Sequence, residues 1–370
     1  MKIAYDQQIF RLQTYGGVSR YFCEIASRIA RSPSVQVSIT APMHINAYLD
    51  QVPAGVLSGF RAPRIERYQS DALRLAFKAA GIALSEIMLR SKSPDILHET
   101  YFSARRPGPG RARRVLTLYD MIHEKFPGNF HPLDKTARNK AIAAQRADHV
   151  ICISESTQRD AIEILGLPGH KTSVIHLGFD LMRGAAAVGP PSEAQPPYLL
   201  YVGLRGGHKN FSGLLKAYAA SALLRKDYAL VCFGGGPFEA HERALISELG
   251  LSGHVRQTAG DDALLAELYQ GARAFVYPSL YEGFGIPPLE AMAHGCPVIC
   301  SNTSSIPEVV GDAGDYFEPT DTESMRTAIE HVLGSESRRE TLIECGFRRL
   351  EAFSWDRCAA QTFDVYKTLM

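Results

Sequence analysis

Two glutamates eight positions apart, Glu282 and Glu290, bracket Gly283-Phe284-Gly285 and the pair Pro287-Pro288. Upstream, Ala274-Phe275-Val276-Tyr277 reads as a buried strand closed by Pro278-Ser279, and downstream Glu290-Ala291-Met292-Ala293 reads as helix. Proline suits the first helical turn, where its missing N–H has no partner in any case. The segment is therefore strand, glycine loop, helix N-terminus. Such a place gathers free backbone N–H groups and a positive dipole end, which favour an anion. Two carboxylates beside an anion site suit a ligand that also carries hydroxyls, and a nucleotide sugar has both.

Other constellations share this setting. Arg205-Gly206-Gly207-His208-Lys209-Asn210 follows an apolar strand and opens a helix. Two cations around a glycine pair would clamp a diphosphate and stabilise the charge that builds as it departs. Gly234-Gly235-Gly236-Pro237 follows the next strand and reads either as a nucleotide-wrapping loop or as a turn. Gly16-Gly17, ahead of the helix that carries Arg20, reads either as a phosphate-receiving entry or as a plain turn. Tyr119-Asp120-Met121-Ile122-His123-Glu124 and His98-Glu99 each end an apolar strand, where they would serve substrate hydrogen bonding or proton transfer, or structure.

The elements that must position these residues alternate regularly. In the first half, strands are expected at Lys2–Tyr5, 35–41, 95–98, 114–118, 149–153 and 173–176, with helices at 18–30, 72–89, 135–147 and Glu155–Leu165. Residues 181–197, rich in Ala, Gly and Pro, read as a linker. The alternation then restarts, with strands at Tyr198–Val202, Ala229–Phe233, Ala274–Tyr277 and 298–300. Helices are expected at Phe211–Ala220, 239–249, 264–270, 288–293, Thr322–Leu333 and 337–352, and a last one at 355–369. Strand and helix in alternation imply parallel sheets covered on both faces. The expected organisation is an N-terminal acceptor-binding domain over 1–180, a nucleotide-binding domain over 198–352, and a terminal helix over 353–370 packing back toward the first domain. Ligand sites would lie at the carboxyl ends of the strands, in a cleft between the domains.

At 370 residues the chain exceeds what one core usually holds. Its 45% hydrophobic and 21% charged residues are ordinary for a globular protein. No run approaches the roughly 18 apolar residues of a membrane span, and Met1-Lys2-Ile3-Ala4-Tyr5-Asp6 turns acidic too soon for a signal peptide. The seven cysteines are scattered and none forms a close pair of zinc type, so a reducing cytoplasm and no structural metal are expected. The net charge of +1 hides an asymmetry: residues 1–180 hold 24 Lys/Arg against 16 Asp/Glu, and residues 181–370 hold 16 against 23. The basic half, with Arg105, Arg106, Arg111, Arg113 and Arg114 in one loop and Arg61, Arg64, Arg67, Arg74 and Lys78 in another stretch, reads either as a surface for anionic headgroups or as solvated faces. The arginine loop lacks interleaved aromatics, which argues against nucleic acid as a partner.

Taken together, these motifs resemble the retaining glycosyltransferases of family 4, which have the GT-B fold. Glu282 to Glu290 is similar to the E-x7-E motif of that family. Gly16-Gly17-Val18-Ser19-Arg20, Val202-Gly203 with Lys209-Asn210, Ile153-Ser154-Glu155-Ser156-Thr157, Gly178-Phe179-Asp180 and Ser301-Asn302 with Pro307-Glu308-Val309 follow in the family's order. The chain looks most like the mannosyltransferases of surface-polysaccharide and O-antigen assembly. Two departures stand out: Arg205 lies four residues before Lys209 where family members often have six, and Tyr119-Asp120 replaces a frequent His-Asp.

The resemblance implies an α/β fold of two Rossmann-like doubly wound domains and transfer of a hexose, mannose from GDP-mannose, with retention, to a glycan or lipid-linked glycan. In its front-face mechanism the leaving diphosphate helps to deprotonate the acceptor. Glu290 would bind the ribose and Glu282 the transferred sugar. Gly283, Phe284, Gly285, Ile286 and Leu289 would approach the donor, with Gly17 and Gly203 beside it, and Arg205 and Lys209 would clamp the diphosphate. His123 and Asp120 would meet the transferred sugar or the acceptor, and Arg20, His98, Glu99 and Tyr101 would lie on the acceptor side. No cofactor is implied, and the absence of an Asp-x-Asp motif favours metal independence. The expected location is cytoplasmic, with the basic domain peripheral at the inner face of the plasma membrane. A UDP-sugar-dependent transferase, a sugar-nucleotide epimerase and a non-catalytic nucleotide-sugar-binding protein stand as alternatives.

Overall fold

The computed structural model describes residues 1–62, 71–180 and 196–370, with the side chains of 71–74 left aside. Most of the linker read at 181–197 and part of the basic stretch, Arg64, Arg67 and the Arg74 side chain, therefore lie outside the described residues. Two compact units emerge. The first comprises Met1–Glu124, Phe130–Gly178 and Ser354–Met370; the second comprises Lys125–Asn129 and Phe179–Phe353.

The first unit is built on a seven-stranded sheet of β1 (Lys2–Tyr5), β2 (Gln36–His44), β3 (Leu57–Arg61), β4 (Ile96–Glu99), β5 (Arg113–Leu118), β6 (His149–Cys152) and β7 (Thr172–Val174), in the order β3-β2-β1-β4-β5-β6-β7. The second contains β8 (Tyr198–Val202), β9 (Ala229–Phe233), β10 (Val255–Thr258), β11 (Ala274–Tyr277), β12 (Val298–Ser301) and β13 (Gly314–Phe317), in the order β10-β9-β8-β11-β12-β13. Neighbouring strands pair in parallel throughout. Strands β3, β10 and β13 are absent from the sequence reading, and all three are sheet edges. An edge strand is covered less completely than a central one, so Leu-Ser-Gly-Phe-Arg and Val-Arg-Gln-Thr lack the continuous apolar run that marks β1 or β11.

Helix bounds follow from local capping. Ser154 accepts from the Thr157 amide at one end of Glu155–Leu165, and Gly166, left-handed at φ 64°, closes the other. Asp321 caps Thr322–Leu333 through the Glu323 and Ser324 amides. The core of the second unit sets Leu199, Tyr201, Val276 and Ile299 of the sheet against Leu214, Phe211, Met325 and Ile329 of the helices. All seven cysteines are buried and unpaired. Among the described residues no helix is long and apolar enough to cross a membrane.

Two expected acceptor-side residues prove to be core of the first unit. His98 is fully buried: its Nδ1 lies 2.6 Å from the Tyr366 hydroxyl, its Nε2 lies 2.9 Å from Thr117 Oγ1, and its ring stands edge-on to Phe22. Glu99 is buried between Arg114 at 3.0 Å and Arg146 at 2.5 Å. Both side chains spend their polar atoms inside the fold, which corrects the acceptor-side expectation. The partner of His98 comes from the terminal helix Trp355–Thr368, which packs on Gly17–Ile29 with Arg28 Nε 3.0 Å from Asp356. Where residues 178 and 355 pass each other, a Cβ on Gly178 would stand 2.4 Å from the backbone nitrogen of Trp355.

Gly178→Ala should therefore force backbone apart and cost about 1–3 kcal/mol, seen as a lower urea midpoint with an unchanged m-value. His98 gives a pH signature. Burial holds its imidazole down to about 3, against about 6.5 in an unfolded chain. Between those values only the unfolded chain binds the proton, so stability is complete above pH about 6.5 and falls on acidification, by at most ~1.4 kcal/mol per pH unit. In urea titrations between pH 7 and 5, His98→Phe should lose stability less steeply than the parent.

Candidate functional site

In the second unit the candidate residues sit on loops that leave the carboxyl ends of β8, β9, β11 and β12. After β8, Gly203 (φ 125°) and Gly207 (φ 53°) take conformations that side chains resist, and a tight turn at Gly207–Lys209 delivers the lysine. Asn210, also left-handed, anchors the next helix by donating to the Pro319 carbonyl at 2.7 Å. After β11 the chain runs through Gly285, left-handed at φ 115°, into Ile286–Ala293, with proline in its first turn.

These loops meet. Lys209 Nζ donates to Glu282 Oε1 at 2.6 Å, and Leu280 N donates to His208 O at 2.7 Å. From the loop after β12, Ser304 Oγ accepts from the Glu282 amide at 2.9 Å, Ser305 Oγ lies 2.9 Å from both the Glu282 and Phe284 carbonyls, and Thr303 Oγ1 donates to Leu280 O. Glu282 is thus held through its carboxylate, its N–H and its C=O. Glu290, half-buried one element later, accepts from the Tyr269 hydroxyl at 3.2 Å. Lys125–Asn129 joins this neighbourhood: Phe126 packs against His208 and Tyr281, and the Lys125 ammonium lies 5.2 Å from the centre of the Tyr281 ring.

Arg205 requires a correction. Its side chain turns inward, with Nε 2.8 Å from Glu242 Oε1 and the terminal nitrogens on the carbonyls of Gly234, Gly235, Gly236 and Pro237 at 2.8–3.2 Å. Phe238 and Phe211 flank the guanidinium. A cation that is 7% exposed and committed to a carboxylate and four carbonyls is not presented as a diphosphate clamp. It folds the glycine turn instead: Gly234, Gly235 and Gly236 are left-handed in succession, a path open to glycine, and their carbonyls converge on the one guanidinium. Burial raises the Glu242 carboxyl, but the Arg205 hydrogen bonds, the Glu239 amide and the Arg205 charge together hold it below its ordinary value. Leu289 is likewise corrected, since its side chain lies wholly in the core; Phe284 is buried edge-on to Phe353.

In the first unit, Asp120 and His123 follow β5, and Tyr101, which follows β4, lies near Asp120. Asp120 Oδ1 accepts from the Ile122 amide at 3.0 Å; the His123 ring stacks on Phe130 at 3.8 Å, with Nε2 4.0 Å from Asp134. Tyr101 packs on Phe102, and burial, then the charges of Asp120 and Asp134, raise its hydroxyl pKa. Beneath them lies Lys140, fully buried, donating to Asp120 O and Glu124 Oε2 at 2.8 Å each, with Asp120 Oδ1 at 3.6 Å. Sequence reading missed this residue, though a signal exists: 140, 143, 144 and 147 are the buried positions along and just beyond Thr136–Arg146, so the lysine occupies a core position of an otherwise alanine stripe. Arg20 pairs with Glu24 along its own helix at 3.6 Å, and Gly17 opens that helix with open space where a Cβ would sit.

Residues 15–183 match the family described as Glycosyltransferase Family 4, and residues 188–349 match Glycosyl transferases group 1. The O-antigen chain mannosyltransferase B of Escherichia coli is 30% identical over 372 residues, covering 95% of this chain and 96% of that protein. The MMP alpha-(1->4)-mannosyltransferase of Mycolicibacterium hassiacum is 41% identical over 128 residues, 33% of this chain and 31% of its own. Sucrose-phosphate synthase from Thermosynechococcus elongatus shares the fold at a TM-score of 0.75 and 20% identity, with 100% of this chain and 99% of that one covered. With two doubly wound parallel-sheet units and family matches that together span most of its length, the chain belongs to the group 1, family 4 glycosyltransferases and has the GT-B fold.

Proposed function

We propose that this glycosyltransferase moves mannose from GDP-mannose, with retention of configuration, to a hydroxyl of a glycan or lipid-linked glycan during surface-polysaccharide synthesis. The relative that matches along nearly the whole chain, an O-antigen mannosyltransferase, supports the sugar and the setting. The observation that carries the site assignment is the Lys209–Glu282 contact at 2.6 Å, with Glu290 on the adjoining helix. Glu290 binds the ribose, Glu282 holds hydroxyls of the mannose, and the Lys209 ammonium faces the diphosphate. A carboxylate already engaged by an ammonium is suited to orienting a sugar rather than attacking it. The acceptor is then deprotonated with help from the leaving diphosphate, and the protein supplies orientation and fixed positive charge. Asp120, His123 and Tyr101 hold hydroxyls of the transferred sugar or the acceptor. Lys209 and the amides entering Ile286–Ala293 supply that charge without a metal. The basic first half would keep the enzyme at the cytoplasmic face of the membrane, against anionic lipid.

Calorimetric titration should show GDP binding more tightly than UDP or ADP. Lys209→Ala and Glu290→Ala should each lower kcat/KM with GDP-mannose by about 100-fold or more, in line with the loss of one preorganised charge. Glu290→Ala should keep a urea midpoint near that of the parent, while Lys209→Ala, which leaves the Glu282 carboxylate without its ammonium, should lower it. Full activity in both variants would refute the site. Turnover should persist in excess chelator, and a loss restored by added divalent cation would overturn metal independence.

A further inference from the structure

The carboxylates of Glu282 and Glu290 each adjoin a buried tyrosine from outside the loop and helix that carry them. Tyr269, in the helix Asp262–Gly271, is 1% exposed; its hydroxyl lies 3.2 Å from Glu290 Oε2 and 3.3 Å from the Pro287 carbonyl. Its ring stacks on His294, 5.7 Å between centroids and 14° between planes, and His294 Nδ1 lies 2.8 Å from the Glu290 carbonyl. Tyr277, the last residue of β11, is 2% exposed, and the Glu282 carboxylate lies beside its hydroxyl. The Lys209 ammonium stands 5.9 Å from the centre of the Tyr277 ring. Lys209 and Tyr277 therefore both adjoin one carboxylate, and Tyr269 holds the other.

Both tyrosines are fixed by packing rather than by the carboxylates themselves. Phe275 lies between them, 5.5 Å from the Tyr269 ring and 5.6 Å from the Tyr277 ring. Their hydroxyls cannot follow a moving carboxylate without disturbing the sheet, so each is a stationary donor that selects one orientation of its glutamate. Burial first, and the glutamate charge second, keep both phenols well above their ordinary pKa, so both remain protonated donors at any working pH. A hydrogen bond to an ionised acceptor is stronger than a neutral one, which is what a rigid orienting contact needs.

We propose that Tyr269 and Tyr277 are positioning residues that separately set nucleotide affinity and transfer rate: Tyr269 by orienting Glu290, Tyr277 by orienting Glu282 against Lys209. The inference rests on the assignment of Glu290 to the ribose and Glu282 to the transferred sugar. Two substitutions test it, Tyr269→Phe and Tyr277→Phe, each of which deletes one oxygen and leaves the aromatic packing in place. GDP and UDP are titrated separately into each variant, and steady-state kinetics are run with the matching mannose or glucose donor. Tyr269→Phe should weaken nucleoside diphosphate binding and raise donor KM about tenfold, with kcat within twofold. Tyr277→Phe should do the reverse, lowering kcat about tenfold with nucleotide affinity within twofold. In a Glu290→Gln background, Tyr269→Phe should add little, because the charge it orients is gone.

Equal effects of both substitutions on the same parameter, or parent-like behaviour of both, would overturn the division. Urea midpoints close to the parent's exclude simple unfolding as the cause of a loss. Glu290→Ala separates the two levels of the argument. If it binds nucleotide like the parent, the assignment of Glu290 falls; if it loses binding while Tyr269→Phe does not, the positioning role alone falls.

Discussion

A lysine ammonium 2.6 Å from a carboxylate that is 9% exposed ties together two loops of the second unit. Lys209 follows β8 and Glu282 follows β11, and these strands are parallel neighbours. Parallel pairing forces both loops to leave at the same end of the sheet, which is where open α/β sheets bind ligands. The pair works because each partner is fixed independently. Lys209 stands on a tight turn entered through left-handed Gly207, while the main chain of Glu282 is held by Ser304 and Ser305. Were either loop free, holding two long side chains in one geometry would offset much of the Coulomb gain. With both loops braced, that ordering has been done during folding, before any ligand arrives.

The other cation of the same loop shows what the arrangement excludes. Arg205 lies four residues before Lys209 and points the opposite way, into Glu242 and the carbonyls of the Gly234–Gly236 turn. A planar guanidinium with five donors suits a set of convergent carbonyls, and a compact ammonium suits a single exposed oxygen. The loop thus divides its charges by function: the arginine shapes the backbone from beneath, and the lysine is left at the surface of the site. Lys209 and a helix N-terminus then offer fixed positive charge there, and Arg205 does not.

The central strands could be read in the sequence because burial on both faces leaves continuous apolar runs, as in Ala274–Tyr277. Capped helices were equally legible, since Ser154 and Gly166 mark the two ends of Glu155–Leu165. Edge strands β3, β10 and β13 were not, because partial burial dilutes the pattern. In the site, Glu282, Glu290 and Lys209 stood out beside glycine turns after apolar strands, but the contact of Lys209 with Glu282 depends on β8 and β11 lying side by side, which local pattern does not reveal. The direction of Arg205 was invisible, because it depends on Glu242, 37 residues away, and on three successive left-handed glycines. His98 and Glu99 looked functional for the reason that any polar residue at a strand end does; their partners, Tyr366, Arg114 and Arg146, lie too far along the chain for local pattern to reveal. Lys140 was legible in principle, as the one charge among the buried positions of its helix.

Buried tyrosines complete the logic of the paired ions. A carboxylate beside an ammonium would tend to rotate toward it and surrender both oxygens, leaving little for a ligand hydroxyl. The Tyr277 hydroxyl, beside Glu282, offers that carboxylate a second donor. Glu290 accepts from the Tyr269 hydroxyl at 3.2 Å. Glu282, the glutamate bound to lysine, also has its N–H and C=O tied to the serine loop, so its main chain is fixed before any ligand arrives.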